Sequence, residues 1–241
     1  MNIILCMPFS VCENETGIKN VEIIYPNHNS VSKKERLFIT CCGHSPNSSI
    51  AGRIICESIN LYFRSFADEN SVSPTFIEKA LRMGEIGISD YIKKHPEEKG
   101  ITTTMSLFYL SSDSIYISQI GRSHIYQIRD NQIINKYINL SDQKIRGIEK
   151  PEKINLYTLK DIKAQDQFFI CHNNLADWED EMFICEILSQ LSDAEEKLLE
   201  IKRHYLNKYK LPFTGHLIPI KEIKETHSLK NKLNFSFFPF I

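Results

Sequence analysis

The sequence predicts an α+β fold built in layers, and three observations predict it. Residues 115–134 alternate apolar and polar side chains, the two-residue period of half-buried strands. Residues 50–66 and 76–92 place apolar side chains at helical spacing. After a second strand-rich stretch, a helical block at 175–209 is followed by a last strand.

Taken in order, residues 1–30 hold two expected strands, 3–7 and 21–25, with a polar turn between them. Leu37 to Cys42 reads as a short buried strand ending at Gly43, and Pro46 marks the loop after it. A helix starts near Ser48 or Ser49 and buries Ile50, Ile54, Ile55, Ile59, Leu61, Tyr62 and Phe66. A second follows Ser73, with Pro74 in its first turn, where the missing N–H costs nothing. Its stripe is Phe76, Ile77, Ala80, Leu81, Ile88, Tyr91 and Ile92, and Pro96 ends it.

Residues 102–110 form a strand, and residues 115–137 continue it as a meander. Asp130-Asn131 suits a two-residue hairpin turn, since both residues tolerate positive φ. Gly121 interrupts the earlier run, where a bulge or a close approach is expected. Residues 139–153 are polar loop, and 154–159 and 167–171 are further strands. A helix covers 175–191, then Ser192-Asp193-Ala194-Glu195 reads as a capping box that opens a helix to about Tyr209. A strand at 214–223 closes the domain, giving one domain over 1–223 and a Phe-rich tail over 224–241. Phe235, Phe237, Phe238 and Phe240 in that tail either cover a core edge or dock a protein partner.

The chain is 42% apolar and 24% charged, with a formal net charge of −1, so no field attracts nucleic acid or anionic lipid. No apolar run approaches the roughly 18 residues that span a bilayer. Seven irregularly spaced cysteines do not form a secreted disulfide framework, and the start lacks the basic region of a signal peptide. A cytoplasmic protein with reduced thiols is expected.

Several short motifs, in a fixed order, narrow the reading. They are Cys41-Cys42-Gly43-His44 after a strand, Gly100-Ile101-Thr102-Thr103-Thr104, and Ile115-Tyr116 to Gly121-Arg122-Ser123-His124-Ile125-Tyr126. Further along come Leu140-Ser141-Asp142, Cys171-His172-Asn173-Asn174-Leu175-Ala176-Asp177, and Phe213-Thr214-Gly215-His216. In this order the chain resembles the metal-dependent type 2C (PPM) serine/threonine protein phosphatases, over residues 37–223. The resemblance implies a four-layer α-β-β-α sandwich, two antiparallel sheets packed face to face with helices outside. It also implies an edge where carboxylates hold two Mg²⁺ or Mn²⁺ ions and a bridging water that attacks phosphate.

The chemistry departs from the family. The ligand positions are Cys42, Gly43, Asn173 and Phe213 (or a neighbour), with Glu15 of Asn14-Glu15-Thr16 the best match to an early acidic element. The hairpin aspartate is Arg122, and residues 1–20 contain no arginine to grip phosphate. The interval between Asp142 and Gln167, where the family carries a flap, is short. Two divalent ions need several carboxylates, whereas here one at most remains and a guanidinium that never deprotonates is added. The expectation is therefore a pseudophosphatase with no cofactor, whose former active edge (Cys42, His44, Arg122, His124, Asn173 and Asp177) is inert or binds a protein.

Three rival uses of that edge follow from its side chains. Cys41, Cys42, His44, Cys171, His172 and His216 offer donors suited to Zn²⁺, although adjacent Cys41 and Cys42 point to opposite faces of a strand. Arg122, alone or with His124, can bind a phosphate without hydrolysing it. Asp177, Glu15 and Asp142 leave room for weak one-metal phosphatase activity, against a plain helix-start role for Asp177.

Overall fold

A computed structural model describes residues 2–6, 9–12, 20–22, 36–42, 48–67, 72–111, 114–139, 154–172, 178–190, 193–209 and 213–225. Eleven strands and four α-helices are found among them: β1 (Asn2–Cys6), β2 (Phe9–Cys12), β3 (Asn20–Glu22), β4 (Arg36–Cys42), α1 (Ser48–Phe66), α2 (Pro74–Lys94), β5 (Thr104–Leu110), β6 (Ile115–Ile120), β7 (Ser123–Arg129), β8 (Gln132–Asn139), β9 (Asn155–Leu159), β10 (Gln167–Cys171), α3 (Trp178–Gln190), α4 (Ala194–Tyr209) and β11 (Thr214–Glu225). One antiparallel sheet has the order β1-β11-β10-β7-β8, with β2 also on β11; the other runs β3-β4-β5-β6-β9. Long β11 meets β2 along residues 214–217 and β1 along residues 220–225.

Three apolar clusters fill the spaces between four layers. The first packs α1 and α2 on the five-stranded sheet through Leu37, Ile39, Cys41, Ile55, Ile59, Ile77 and Leu107. The second lies between the sheets and holds Phe38, Phe108, Ile117, Ile125, Phe168, Ile170 and Ile218. The third packs α3 and α4 on the larger sheet through Tyr126, Phe169, Leu188, Leu198, Phe213 and Leu217. Residues of one strand alternate between clusters, as the pleat requires: Phe38 faces the other sheet while Leu37 and Ile39 face the helices. The expected α-β-β-α sandwich is what the chain forms.

Local chemistry explains the boundaries. Ser73 caps α2, its Oγ accepting the Phe76 N–H at 3.2 Å, and Pro74 occupies the first turn. Asp130 and Asn131 turn the β7–β8 hairpin with φ of 49° and 62°. On α2, Gly84 sits where an added Cβ would lie 3.3 Å from Ile55, so α1 and α2 approach closely there.

Two expectations are corrected. Residues 115–137 are not a continuous meander: β6 pairs with β5 and β9 in one sheet, whereas β7 pairs with β8 and β10 in the other. The chain changes sheets at Gly121-Arg122, with Gly121 at φ 80°. Asp193 opens helix α4, its Oδ1 accepting both the Glu195 and Glu196 N–H at 2.9 Å, and Ser192 of the expected capping box lies outside the described residues. The N-terminal region supplies a third strand, Phe9–Cys12, and its last strand lies at Asn20–Glu22. Alternation in short strands sets neither their number nor their ends, which here depend on pairing with β11 and β4.

Candidate functional site

One end of the sandwich gathers the motif residues that the structure describes. Strand β4 ends there at Cys42, β5 begins at Thr104, β10 ends at Cys171 and β11 begins at Thr214. The ladders set these termini side by side: Cys42 pairs with Thr104, Cys171 with His124, and Cys171 with Gly215.

His172, just past β10, bridges the two sheets. Its Nε2 lies 2.5 Å from Thr40 Oγ1 on β4, and its Nδ1 is 3.4 Å from Thr104 Oγ1 on β5. His216, on the neighbouring strand β11, is fully enclosed. Burial, and secondarily the nearby His172, push its imidazole from 6.5 down to about 3, so it stays neutral at physiological pH. His124 faces the other way, towards α3. Its ring stacks near Tyr126, and Nδ1 lies 3.2 Å from the Tyr126 hydroxyl. Burial lowers its pKa, while the charge of Glu181 on α3 acts in the opposite sense. Glu181 in turn pairs with Lys136 of β8.

Gln119 holds the sheet crossing. Its Nε2 donates to the Ser123 carbonyl at 3.1 Å, to Ser123 Oγ at 2.9 Å and to the Tyr137 carbonyl at 3.1 Å. Arg122 is exposed at the bend, whereas His124 is buried beneath α3. The bend thus gives the two residues of the expected phosphate-binding pair different environments.

The zinc donors are dispersed. Cys41 belongs to the α1–α2 layer, where its Sγ faces Cys56 Sγ at 3.9 Å. Cys171 belongs to the α3–α4 layer on the far side of the sandwich. Only His172 and His216 of the described donors share the space between the sheets. The zinc reading fails for Cys41 and Cys171 because strand alternation sends them into opposite helix layers.

Phe213, expected from the sequence (it or a neighbour) at the family's late aspartate, is wholly buried. Its ring stacks on Phe169 at 6.4 Å between centroids and meets Tyr205 of α4 at 5.3 Å. The same ring lies over Gly215, so closely that a Cβ there would come within 2.7 Å of it. Of the other sequence-predicted positions, Glu15, Gly43, His44, Asp142, Asn173, Asp177, Phe235, Phe237, Phe238 and Phe240 lie outside the described residues, as does the loop 140–153. The side chain of Cys42 does as well. Sequence reasoning missed Thr40 and Thr104 as partners of His172. The signal was available, since Thr40 precedes helix-facing Cys41 and must therefore face the other sheet.

No family model matches this chain, and no curated protein matches it by sequence. Solved structures do match in fold. The Mycobacterium tuberculosis serine/threonine phosphatase PstP/Ppp superposes with a TM-score of 0.66 at 16% identity, covering 91% of this chain and all of that one. The Staphylococcus aureus serine/threonine phosphatase Stp1 gives 0.71 at 12% identity over 91% of this chain and 96% of its own. A bacterial serine phosphatase gives 0.70 at 15% identity over 92% and 100%. The fold is that of the PPM-type serine/threonine phosphatases.

The PstP catalytic domain has been solved with two manganese ions. The residues described here do not fit such a pair. Among the described residues no three His, Cys, Asp or Glu side chains come together in a way that could hold a metal ion. Between the sheets at this end, the described polar side chains Thr40, Thr104, His172 and His216 are hydroxyls and imidazoles, which by themselves supply none of the negative charge that two hard divalent ions require.

Proposed function

We propose that this protein is a catalytically inactive type 2C phosphatase-like protein, a pseudophosphatase that serves as a protein-binding or regulatory module. Phe213 carries the reading. An oxygen donor is replaced by an aromatic ring built into the α3–α4 core against Phe169, Tyr205 and Gly215. Restoring an acid there means emptying that packing, not merely exchanging a surface group. Cys42, Arg122 and Asn173 at the other motif positions act in the same direction, since Arg122 adds a permanent positive charge where the family has a negative one.

The partner is a protein, with neither nucleic acid nor membrane expected from a net charge of −1. No described helix is long and apolar enough to cross a membrane. Seven irregularly spaced cysteines, unlike a secreted disulfide framework, support a reducing, cytoplasmic setting.

The test is turnover of p-nitrophenyl phosphate and of phosphopeptides with Mn²⁺. The expected result is a rate equal to the protein-free control. Turnover abolished by Asp177→Asn or Glu15→Gln would establish the weak metal-dependent phosphatase instead. A pull-down compared with and without residues 231–241 then tests whether the Phe-rich tail contributes to the partner surface.

A further inference from the structure

Cys41 and Cys56 meet in the layer between the five-stranded sheet and the helices. Their sulfurs are 3.9 Å apart, and both residues are buried. The contact joins the end of β4 to the middle of α1, 15 positions away in sequence. Ala51 and Ile55, one turn before Cys56 and beside it on α1, are buried in the same cluster, so the helix is seated firmly against the strand. A disulfide holds its sulfurs at about 2.05 Å, so closing this gap takes about 1.9 Å of side-chain rotation and helix settling.

We propose that Cys41 and Cys56 are an oxidative modification site, linked into a disulfide by an oxidant of the peroxide class. One thiolate attacks the peroxide oxygen, cleaving the O–O bond to give a sulfenic acid and, after proton transfer, water. The second thiol attacks that sulfur, the S–S bond forms, and the hydroxyl leaves as a second water molecule. Two thiols are thus oxidised by two electrons and one hydrogen peroxide is reduced to two waters. Both sulfurs are enclosed, so peroxide reaches them through local opening of α1, and the reaction is slow beside that of an exposed thiol. The product is a staple fixing the end of β4, whose Thr40 contacts His172, to the helix layer.

The strand geometry makes the site specific. Leu37, Ile39 and Cys41 are the helix-facing set of β4, so Cys41 and not the adjacent Cys42 is the partner of Cys56. The experiment treats the reduced full chain with hydrogen peroxide, blocks remaining thiols with N-ethylmaleimide under denaturing conditions, and maps tryptic peptides without reduction. The expected product links peptides 37–53 and 54–64, with a mass lower by two hydrogens than the sum of the free peptides. The link persists in Cys42→Ser and disappears in Cys41→Ser and Cys56→Ser. Closing a loop of this length raises Tm by about 5–10 °C, and dithiothreitol reverses the rise. Complete blocking of Cys56 by N-ethylmaleimide after oxidation would overturn the proposal. So would a link lost in Cys42→Ser, a result readable on the wild type and that variant even if Cys41→Ser does not fold.

Discussion

The two ends of the same strands treat buried polarity in opposite ways. At the end where β7 finishes and β10 begins, Asp166 is wholly buried yet ionic. Arg129 grips it with Nε at 2.7 Å and with a second nitrogen at 2.9 Å; Gln127 Nε2 donates at 2.9 Å and the Lys163 N–H at 3.0 Å. Arg129 also reaches Asp161 at 3.0 Å, and that hydrogen bond, with the arginine's charge, holds the exposed Asp161 carboxyl below its ordinary range. The Asp166 carbonyl accepts the Ile220 N–H at 2.7 Å, tying β10 to β11. At the other end, where β7 starts and β10 ends, the described buried polar groups include His124, His172 and His216 with Thr40, Thr104 and Ser123. A buried carboxylate persists only where a cation and several donors meet it. The Arg129 end supplies them from the chain itself. At the opposite end the described polar side chains have no such partner set: hydroxyls and imidazoles meet there, and no carboxylate–guanidinium pair is described among them.

The sharpest way to break this comparison is to remove the acid that remains paired. Asp166→Ala strands Arg129 beside a polar void, and a loss of about 3–5 kcal/mol in urea unfolding is expected. A loss below 1 kcal/mol would mean that the ionic end contributes no more than an exposed surface pair.

Acid should act on the histidine end next. The folded pKa of His216, about 3, lies below its unfolded value of 6.5, so the unfolded chain binds the extra proton first. Its contribution is full above pH 6.5 and is lost as pH falls towards 3. Between pH 7 and pH 5 this amounts to about 2 kcal/mol for a group of ordinary pKa that stays neutral when folded. Lowered carboxyls such as Asp180 weaken the fold only further down, below their ordinary 3.8. His216→Gln should flatten the stability profile between pH 7 and 5; an unchanged slope would show that His216 takes up its proton within the fold.

The smallest effect belongs to the bridge between the sheets. Thr40→Val removes the hydroxyl facing His172 while keeping the shape, and about 1–2 kcal/mol should be lost. Thr40→Ser should restore most of it. If valine and serine behave alike, the 2.5 Å contact is packing rather than a hydrogen bond.

Periodicity determined most of the architecture. The spans of α1 and α2, the Ser73-Pro74 start and the Asp130-Asn131 turn are local features, fixed by residues within a few positions of one another, although Leu61 and Phe66 of the expected α1 stripe are exposed. Only the tertiary structure decided that the chain changes sheets at Gly121, since a strand's alternation does not say which neighbour it pairs with. It also decided which buried groups meet. Arg129 and Asp166 are 37 positions apart and Thr40 and His172 are 132 apart, and no local pattern encodes such pairings. Those contacts come from folding two sheets face to face, which brings distant side chains into one dry space where each must find a partner.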